Sequence, residues 1–307
     1  MNVERFSDVA AFRQRAEPFL LANEAAHCLQ LGVIGALAEH PGREVAPPYL
    51  ALVAEGARVL AVALRTPPYN PVLSLVADAD RERLLPLCAA LVDDLRAVYG
   101  EQLPGVLGPA AESRVFAQRW QRETGQAARV RTHQRIYQLA AVTPVAGVPG
   151  ALRRAAEADR ALLERWLAAF AAEALTGEPL NAAAWVTAAF STPSRAVFLW
   201  EDAGQPVALV AYGNPTPHGI RIGPVYTPPE RRSHGYASAA TAAVSQRLLD
   251  EGRRYCFLFT DLANPTSNAI YQAIGYRPVC DTDMYAFAHS SVAASDGLPT
   301  PSGDTPT

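Results

Sequence analysis

The chain contains no lysine: all 27 of its basic residues are arginines. A phosphate loop of the form G-x-x-x-x-G-K-[ST] is thereby excluded, and no G-x-G-x-x-G occurs either, so neither common nucleotide fingerprint is present. There is no surplus of positive charge. The 30 acidic residues outnumber the basic ones for a formal charge of −3, which argues against general attraction to nucleic acid or anionic lipid. Cysteine is scarce, and Cys28, Cys88, Cys256 and Cys280 show no C-x-x-C spacing and sit among apolar residues. That pattern predicts buried thiols in a reducing compartment and no metal site. No apolar run reaches the length of a membrane span, and the first residues, "MNVERFSDVAAFRQR", mix charge with apolar residues where a secretory signal needs an unbroken core. A cytoplasmic protein without membrane contact is expected.

What is present is a chain of 307 residues, half of them hydrophobic and 19% charged, enough for two packed domains. Residues 5–38 carry helical periodicity, "YLALVAEGARVLAVAL" reads as a hairpin turning at Glu55-Gly56, and helices follow over 80–99 and 110–124 before the strand-like "HQRIYQLAAV". Pro and Gly in 143–150, "TPVAGVPG", stop both periodicities and mark a linker. After it come a short strand, two helices, a hairpin at Asp202-Ala203-Gly204, the strand "GIRIGPVY", a loop and helix, the strand "RYCFLFTDL", a helix from Pro265 to Ile274, and a last hairpin "YRPVCDTDMYAFA". The predicted units are 1–143, 144–289, and a tail 290–307 of disordered composition. "GVLGPAAESRVFAQRW" and "RIGPVYTPPERRSHGYASA" share strand, Gly-Pro and helix in the same place of the order, a faint internal repeat.

The stretch "GPVYTPPERRSHGYASAATAAVSQRLL" turns from an apolar strand into an alanine-rich helix at Gly235. The first turn of such a helix exposes unpaired N–H groups, and its dipole favours an anion. No side chain at Gly235 and only a methyl at Ala237 let a ligand approach the backbone, with Arg231 and Arg232 beside the opening. An anion site, for phosphate, is the functional reading; a capped surface helix with a solvated basic turn is the structural one. In "TDLANPTSNAIYQAIGYRPV", Pro265 suits a first helical position and Gly275 a helix end, so Asn264, Asn268 and Tyr271 share one face. Such an array can also be ordinary packing, but it follows the loop directly.

Together the two stretches resemble the GNAT superfamily of acyl-CoA-dependent N-acyltransferases over about 195–288. Its motif [QR]-x-x-G-x-[GA] is matched by Arg232, Gly235 and Ala237, and its later Asn and Tyr by Asn264, Asn268 and Tyr271. The resemblance implies an α/β fold with a mixed, mostly antiparallel sheet flanked by helices, and acetyl-CoA as co-substrate without a metal. It implies pyrophosphate contacts from Arg231, Arg232, Ser233, His234, Gly235, Tyr236, Ala237 and Ser238. Pantetheine contacts would come from the main chain of Val225, Tyr226 and Thr227, with Asn264 and Asn268 alongside, and a thiolate-protonating role would fall to Tyr271. Glu173 is the first candidate base and Glu178 the second; a solvated surface carboxylate is the other reading of each.

The N-terminal half lacks the motif and is expected to be a degenerate second GNAT-like domain, or else an accessory helical and hairpin domain. The function expected is acetyl transfer to a primary amine on a small molecule or peptide by direct attack, in a monomer or homodimer without nucleic acid or membrane partners. The alternative is a non-catalytic acyl-CoA-binding or regulatory protein of the same fold.

Overall fold

The computed structural model describes residues 1–42, 46–76, 78–174 and 180–288. The predicted tail 290–307 and Glu178 lie outside them. In chain order the first half runs β1 (Asn2–Phe6), α1 (Val9–Leu21), α2 (Cys28–Glu39), β2 (Tyr49–Glu55), β3 (Arg58–Arg65), β4 (Val72–Leu73), α3 (Leu84–Tyr99), β5 (Gly105–Pro109), α4 (Ala110–Thr124) and β6 (Ala128–Leu139). The second half runs β7 (Ala151–Arg154), α5 (Arg160–Ala174), α6 (Ala182–Ser191), β8 (Ala196–Asp202), β9 (Gln205–Gly213), β10 (Gly219–Tyr226), α7 (Tyr236–Asp250), β11 (Tyr255–Asp261), α8 (Pro265–Ile274) and β12 (Arg277–Phe287). The order of strands and helices is the same in both, so the fold is a tandem repeat.

Three expectations are corrected. The periodic segment 5–38 is β1 and two helices, broken at residues 22–27. The last "hairpin" is one long strand, β12, because nothing in "RPVCDTDMYAF" supplies a turn with positive φ. The repeat is also displaced by one strand-helix unit: the counterpart of β10–α7 is β4–α3, and β5–α4 matches β11–α8. With only two residues, β4 is too short to leave a period in the sequence.

All twelve strands form one mixed sheet, ordered β1-β2-β3-β4-β5-β12-β6-β11-β10-β9-β8-β7. Only β4–β5 and β10–β11 are parallel pairs. The last strand of each half is inserted into the other half: β12 lies between β5 and β6, and β6 lies between β12 and β11. The cores follow. Phe287 on β12 joins the first half's core and stacks on Trp120 at 5.3 Å, while Tyr137 and Leu139 on β6 are buried in the second half's core. Each such aromatic contributes roughly 1.5–3 kcal/mol by burial, so each half holds a strand that stabilises its neighbour.

Alternation along the strands sets the layers. Leu50, Leu52, Val62 and Leu64 pack under α1 and α2, whereas Ala51, Val53, Ala61 and Ala63 face α3 and α4. In the second half Val197, Leu199, Leu209 and Ala211 face α5 and α6, and Phe198, Ala208 and Val210 face α7 and α8. The halves are also tied by buried Glu24 of the α1–α2 turn, whose carboxylate accepts from Thr216 Oγ1 at 2.5 Å, from the backbone N–H of His218 at 2.9 Å, and pairs with His218 Nδ1 at 2.8 Å.

Candidate functional site

β10 and β11 run in parallel for three pairs only, Gly219 with Tyr255, Ile220 with Cys256 and Arg221 with Phe257. Beyond them β10 stays with β9 through a bulge between Ile222 and Val225, and its edge toward β11 has no strand partner. Pro224 lies in that bulge and cannot donate to a ladder, which is a local reason for the strands to part. The result is a gap through the sheet, bordered by the main chain of Val225, Tyr226 and Thr227. Thr227 Oγ1 is buried without a hydrogen-bond partner among the described residues.

The loop after β10 ends on Gly235, which caps α7 with φ +79° and offers no side chain to the first turn. Ser233 is also left-handed, at φ +66°. Such successive turns aim main-chain N–H groups into a concavity suited to an anion. A Cβ on Gly235 would meet Val148 Cγ2 at 2.9 Å in a backbone region that disfavours side chains, so both space and dihedral call for glycine. Arg231, Arg232, Ser233 and His234 are exposed, Ala237 and Ser238 half-buried, and Tyr236 is buried with its hydroxyl donating to Asp202 at 2.5 Å. His234 stacks on Tyr236 and its Nδ1 lies 2.7 Å from Arg232 O. These residues lie together in one loop and helix start, and the N–H groups of the first turn of α7 carry no side-chain cap.

Arg232 is held on two sides: its Nε donates to Thr227 O at 2.9 Å, and Nη2 donates to both carboxylate oxygens of Glu173 at 3.0 and 2.7 Å. Glu173, the candidate base, therefore belongs to the phosphate-loop side of the site, where it orients an arginine. Asn264 and Asn268 are likewise occupied. Asn264 Oδ1 accepts from Ser267 N at 3.0 Å and caps α8. Asn268 donates to Asp261 O and Asn264 O at 2.8 Å each and accepts from the Tyr137 hydroxyl at 2.9 Å. Their common face fixes the start of α8 onto β11 and β6, which leaves Tyr271 as the one of the three with no hydrogen bond from its side chain among the described residues.

Tyr271 is 9% exposed and packs edge-on against Tyr276 at 5.9 Å, itself held by Ser245 at 2.8 Å. Its hydroxyl has no hydrogen-bond partner among the described residues, and burial pushes its pKa up to about 12. A phenol so placed stays protonated at neutral pH and can donate.

Two participants escape the sequence reading. Tyr137 reaches this site from the other half, and nothing local in "HQRIYQL" announces that β6 crosses over. Arg221 does leave a signal: a charge between Ile220 and Ile222 in a buried strand must emerge on the face opposite those isoleucines.

The site thus combines a gap between parallel strands, opened by a bulge, with a helix N-terminus capped by glycine. Residues 160–276 match the model of the acetyltransferase (GNAT) family. No curated protein shows a significant sequence match. Among solved structures, a GCN5-related N-acetyltransferase from Sphaerobacter thermophilus is 17% identical with TM-score 0.58, the match covering 92% of this chain and 94% of that one. One from Kribbella flavida is 15% identical with TM-score 0.57, over 89% and 97%. A tandem GNAT protein from the clavulanic acid biosynthesis pathway is 14% identical with TM-score 0.54, over 94% and 98%. These likenesses extend over both halves and establish the tandem GNAT fold.

Proposed function

We propose that the protein transfers an acetyl group from acetyl-CoA to a primary amine, using the second half's site. The observation that carries this reading is the N-terminus of α7, capped by Gly235 without a side-chain bond, at the end of a β10 whose edge toward β11 is unpaired beyond Arg221. The first-turn N–H groups at Tyr236, Ala237 and Ser238, with Arg231 beside them, would hold the pyrophosphate. Main-chain groups of Val225 and Thr227 would pair with the pantetheine amides as an absent strand would, and Thr227 Oγ1 would gain the partner it lacks. A main-chain N–H near Val225 would polarise the thioester carbonyl.

Acetyl-CoA supplies the activated acyl group. Tyr271 donates its proton to the departing thiolate, for which its raised pKa keeps it loaded. Attack by the amine on the thioester carbonyl requires that the amine be neutral; Glu173, ion-paired to Arg232, was the sequence candidate for taking its proton and is tested below. The unpaired thiols, three of them buried, support placement in a reducing compartment.

Calorimetric titration with acetyl-CoA and desulfo-CoA, paired with thiol-release assays on a panel of amines, tests the reading. Wild type is expected to bind both ligands, and Gly235→Glu to weaken both by about 100-fold or more, since it sets a carboxylate against phosphates at the helix terminus. Tyr271→Phe is expected to lose about 100-fold in kcat with its acetyl-CoA affinity retained. No binding by the wild type refutes the site, and a fully active Phe variant refutes the acid.

A further inference from the structure

On the face of β10 away from α7, Arg221 sits between Ile220 and Ile222, whose side chains enter the α7 core. Its guanidinium leans across the point where the strands part, 5.8 Å from the centroid of the Phe259 ring on β11, two residues beyond the last β10–β11 pair. Gly213 stands directly opposite Arg221 in the β9–β10 ladder. A Cβ there would meet Arg195 Cγ at 3.0 Å, so the absence of a side chain lets the stem of Arg195 cross toward the same patch. The Arg195 guanidinium donates to Asn214 Oδ1 at 3.3 Å, its one hydrogen bond among the described residues. Neither guanidinium has a carboxylate within ion-pairing distance among the described residues, and that of Arg221 makes no hydrogen bond there.

The environment makes this costly. Burial pulls the pKa of both guanidinium groups down, and at Arg221 the neighbouring charge of Arg195 lowers it further. Arg195 also lines a cavity of about 170 Å³ between the halves, bounded by Gly32, Gly35 and His40 of the α2 end and by Thr192 and Asn214. His40 Nε2 is buried without a partner. Glu39 lines the cavity too, but it is exposed and forms no ion pair with Arg195. Desolvated cations left unpaired are stabilised when an anion joins them, and planar guanidinium groups suit a carboxylate in particular.

We infer that Arg221 and Arg195 form a carboxylate-binding site on the acceptor side of the gap, and that the amine acceptor carries a carboxylate. The inference rests on the acetyltransferase reading: the coenzyme phosphates lie at α7, on one face, and Arg221 faces the amine entering from the other. An amine without a carboxylate leaves the pair uncompensated, whereas an amino acid neutralises it as its amine reaches the gap. No electron or atom changes hands at the arginines; they position the acceptor.

The test compares matched pairs, free amino acids against their carboxamides, as acceptors with acetyl-CoA, in wild type, Arg221→Gln and Arg221→Lys. Acids are expected to exceed their amides by about 10-fold or more in kcat/KM, because the amide leaves a buried charge unpaired. Arg221→Gln should erase that preference through KM with acetyl-CoA affinity unchanged, and Arg221→Lys should restore part of it. Equal or better use of the amides, no acid turned over, or a preference that survives Arg221→Gln overturns the inference. Acetyl-CoA is titrated separately: binding without acid preference sinks this inference alone, whereas absence of binding sinks the function with it.

Discussion

The two halves share one order of strands and helices, yet their equivalent gaps differ in what fills them. In the second half, the edge of β10 beyond Arg221 is unpaired and leads to a glycine-capped helix. In the first half, the main chain after β4 is already satisfied from within. Leu75 N–H donates to His27 Nε2 at 3.0 Å, Val76 N–H donates to the buried carboxylate of Glu112 at 3.0 Å, and Ser74 Oγ bonds to Val62 N and Leu75 O. The loop that follows carries Asp80, 3% exposed and paired with Arg58, where the second half has its left-handed Ser233 and Gly235. A buried carboxylate repels phosphate, and amides that already have acceptors gain nothing from pantetheine. A cavity of about 250 Å³ remains there, lined by Leu75, Val76, Arg81, Leu84 and Glu112, but the amides on its edge are already spent on structural contacts. The buried, paired Asp80 and the filled amides occur together, and both set the first half's gap apart from the second's.

The sharpest way to break this comparison is to separate the halves. A fragment of residues 144–288 would leave facing edges of β11 and β12 without the strand β6 that lies between them, and would lose Tyr137 from the core and from Asn268. Unpaired buried strand edges are not tolerated. The fragment is expected to be insoluble or unfolded by circular dichroism and to bind no acetyl-CoA, while co-expression with residues 1–143 restores both. A soluble, active fragment alone would show that the exchange of last strands is dispensable.

Much of the second half is legible in the sequence because its signals are local. Gly235 with Arg232 and Ala237, Pro265 at the start of α8 and Gly275 at its end each act within a few residues, and the structure places them as their chemistry demands. What is not legible depends on contacts far apart in the chain. The repeat was misaligned because two-residue β4 has no period, and the insertion of β6 and β12 into opposite halves is fixed by Trp120 meeting Phe287 and Tyr137 meeting Asn268. The asparagines show a subtler limit. Spacing put Asn264 and Asn268 on one face, but spacing is silent on whether an amide is already spent, and here one caps α8 and the other bridges three elements.

Acid should sharpen the comparison by attacking only the first half's plug. His27 is 1% exposed; because its Nδ1 lies 2.9 Å from Leu20 O and its Nε2 accepts from Leu75 N–H, it must be the neutral Nδ1–H tautomer. Burial pulls its pKa down to about 4. The folded value lies below the ordinary one near 6.5, so between the two the unfolded chain binds a proton that the native chain does not. The stabilisation present above about pH 6.5 is therefore lost as pH falls toward about 4, by up to roughly 3 kcal/mol, and flattens below. Urea unfolding between pH 7.5 and 4.5 measures it. His27→Gln, which keeps an acceptor but does not titrate, should flatten that slope by about one proton. An unchanged slope would show that the plug does not titrate as argued.

The smallest effect concerns Glu173, and its size decides between two roles. If the carboxylate takes the proton of the amine, Glu173→Gln lowers kcat by about 100-fold or more and removes the acidic limb of the pH–rate profile. If it orients Arg232, as the bidentate contact at 3.0 and 2.7 Å indicates, the loss is that of an exposed ion pair, roughly 0.2–1 kcal/mol, or a few-fold in the KM for acetyl-CoA with kcat and pH profile kept. Both partners are nearly half exposed, at 45% and 47%, so solvent screens the pair and a large effect on binding alone is not expected. Arg232→Gln separates the outcomes further, because it frees Glu173 while leaving its carboxylate in place. An orienting Glu173 predicts that the two variants weaken acetyl-CoA binding alike and that their combination adds little, since each removes the same contact. A base would make Glu173→Gln far slower than Arg232→Gln.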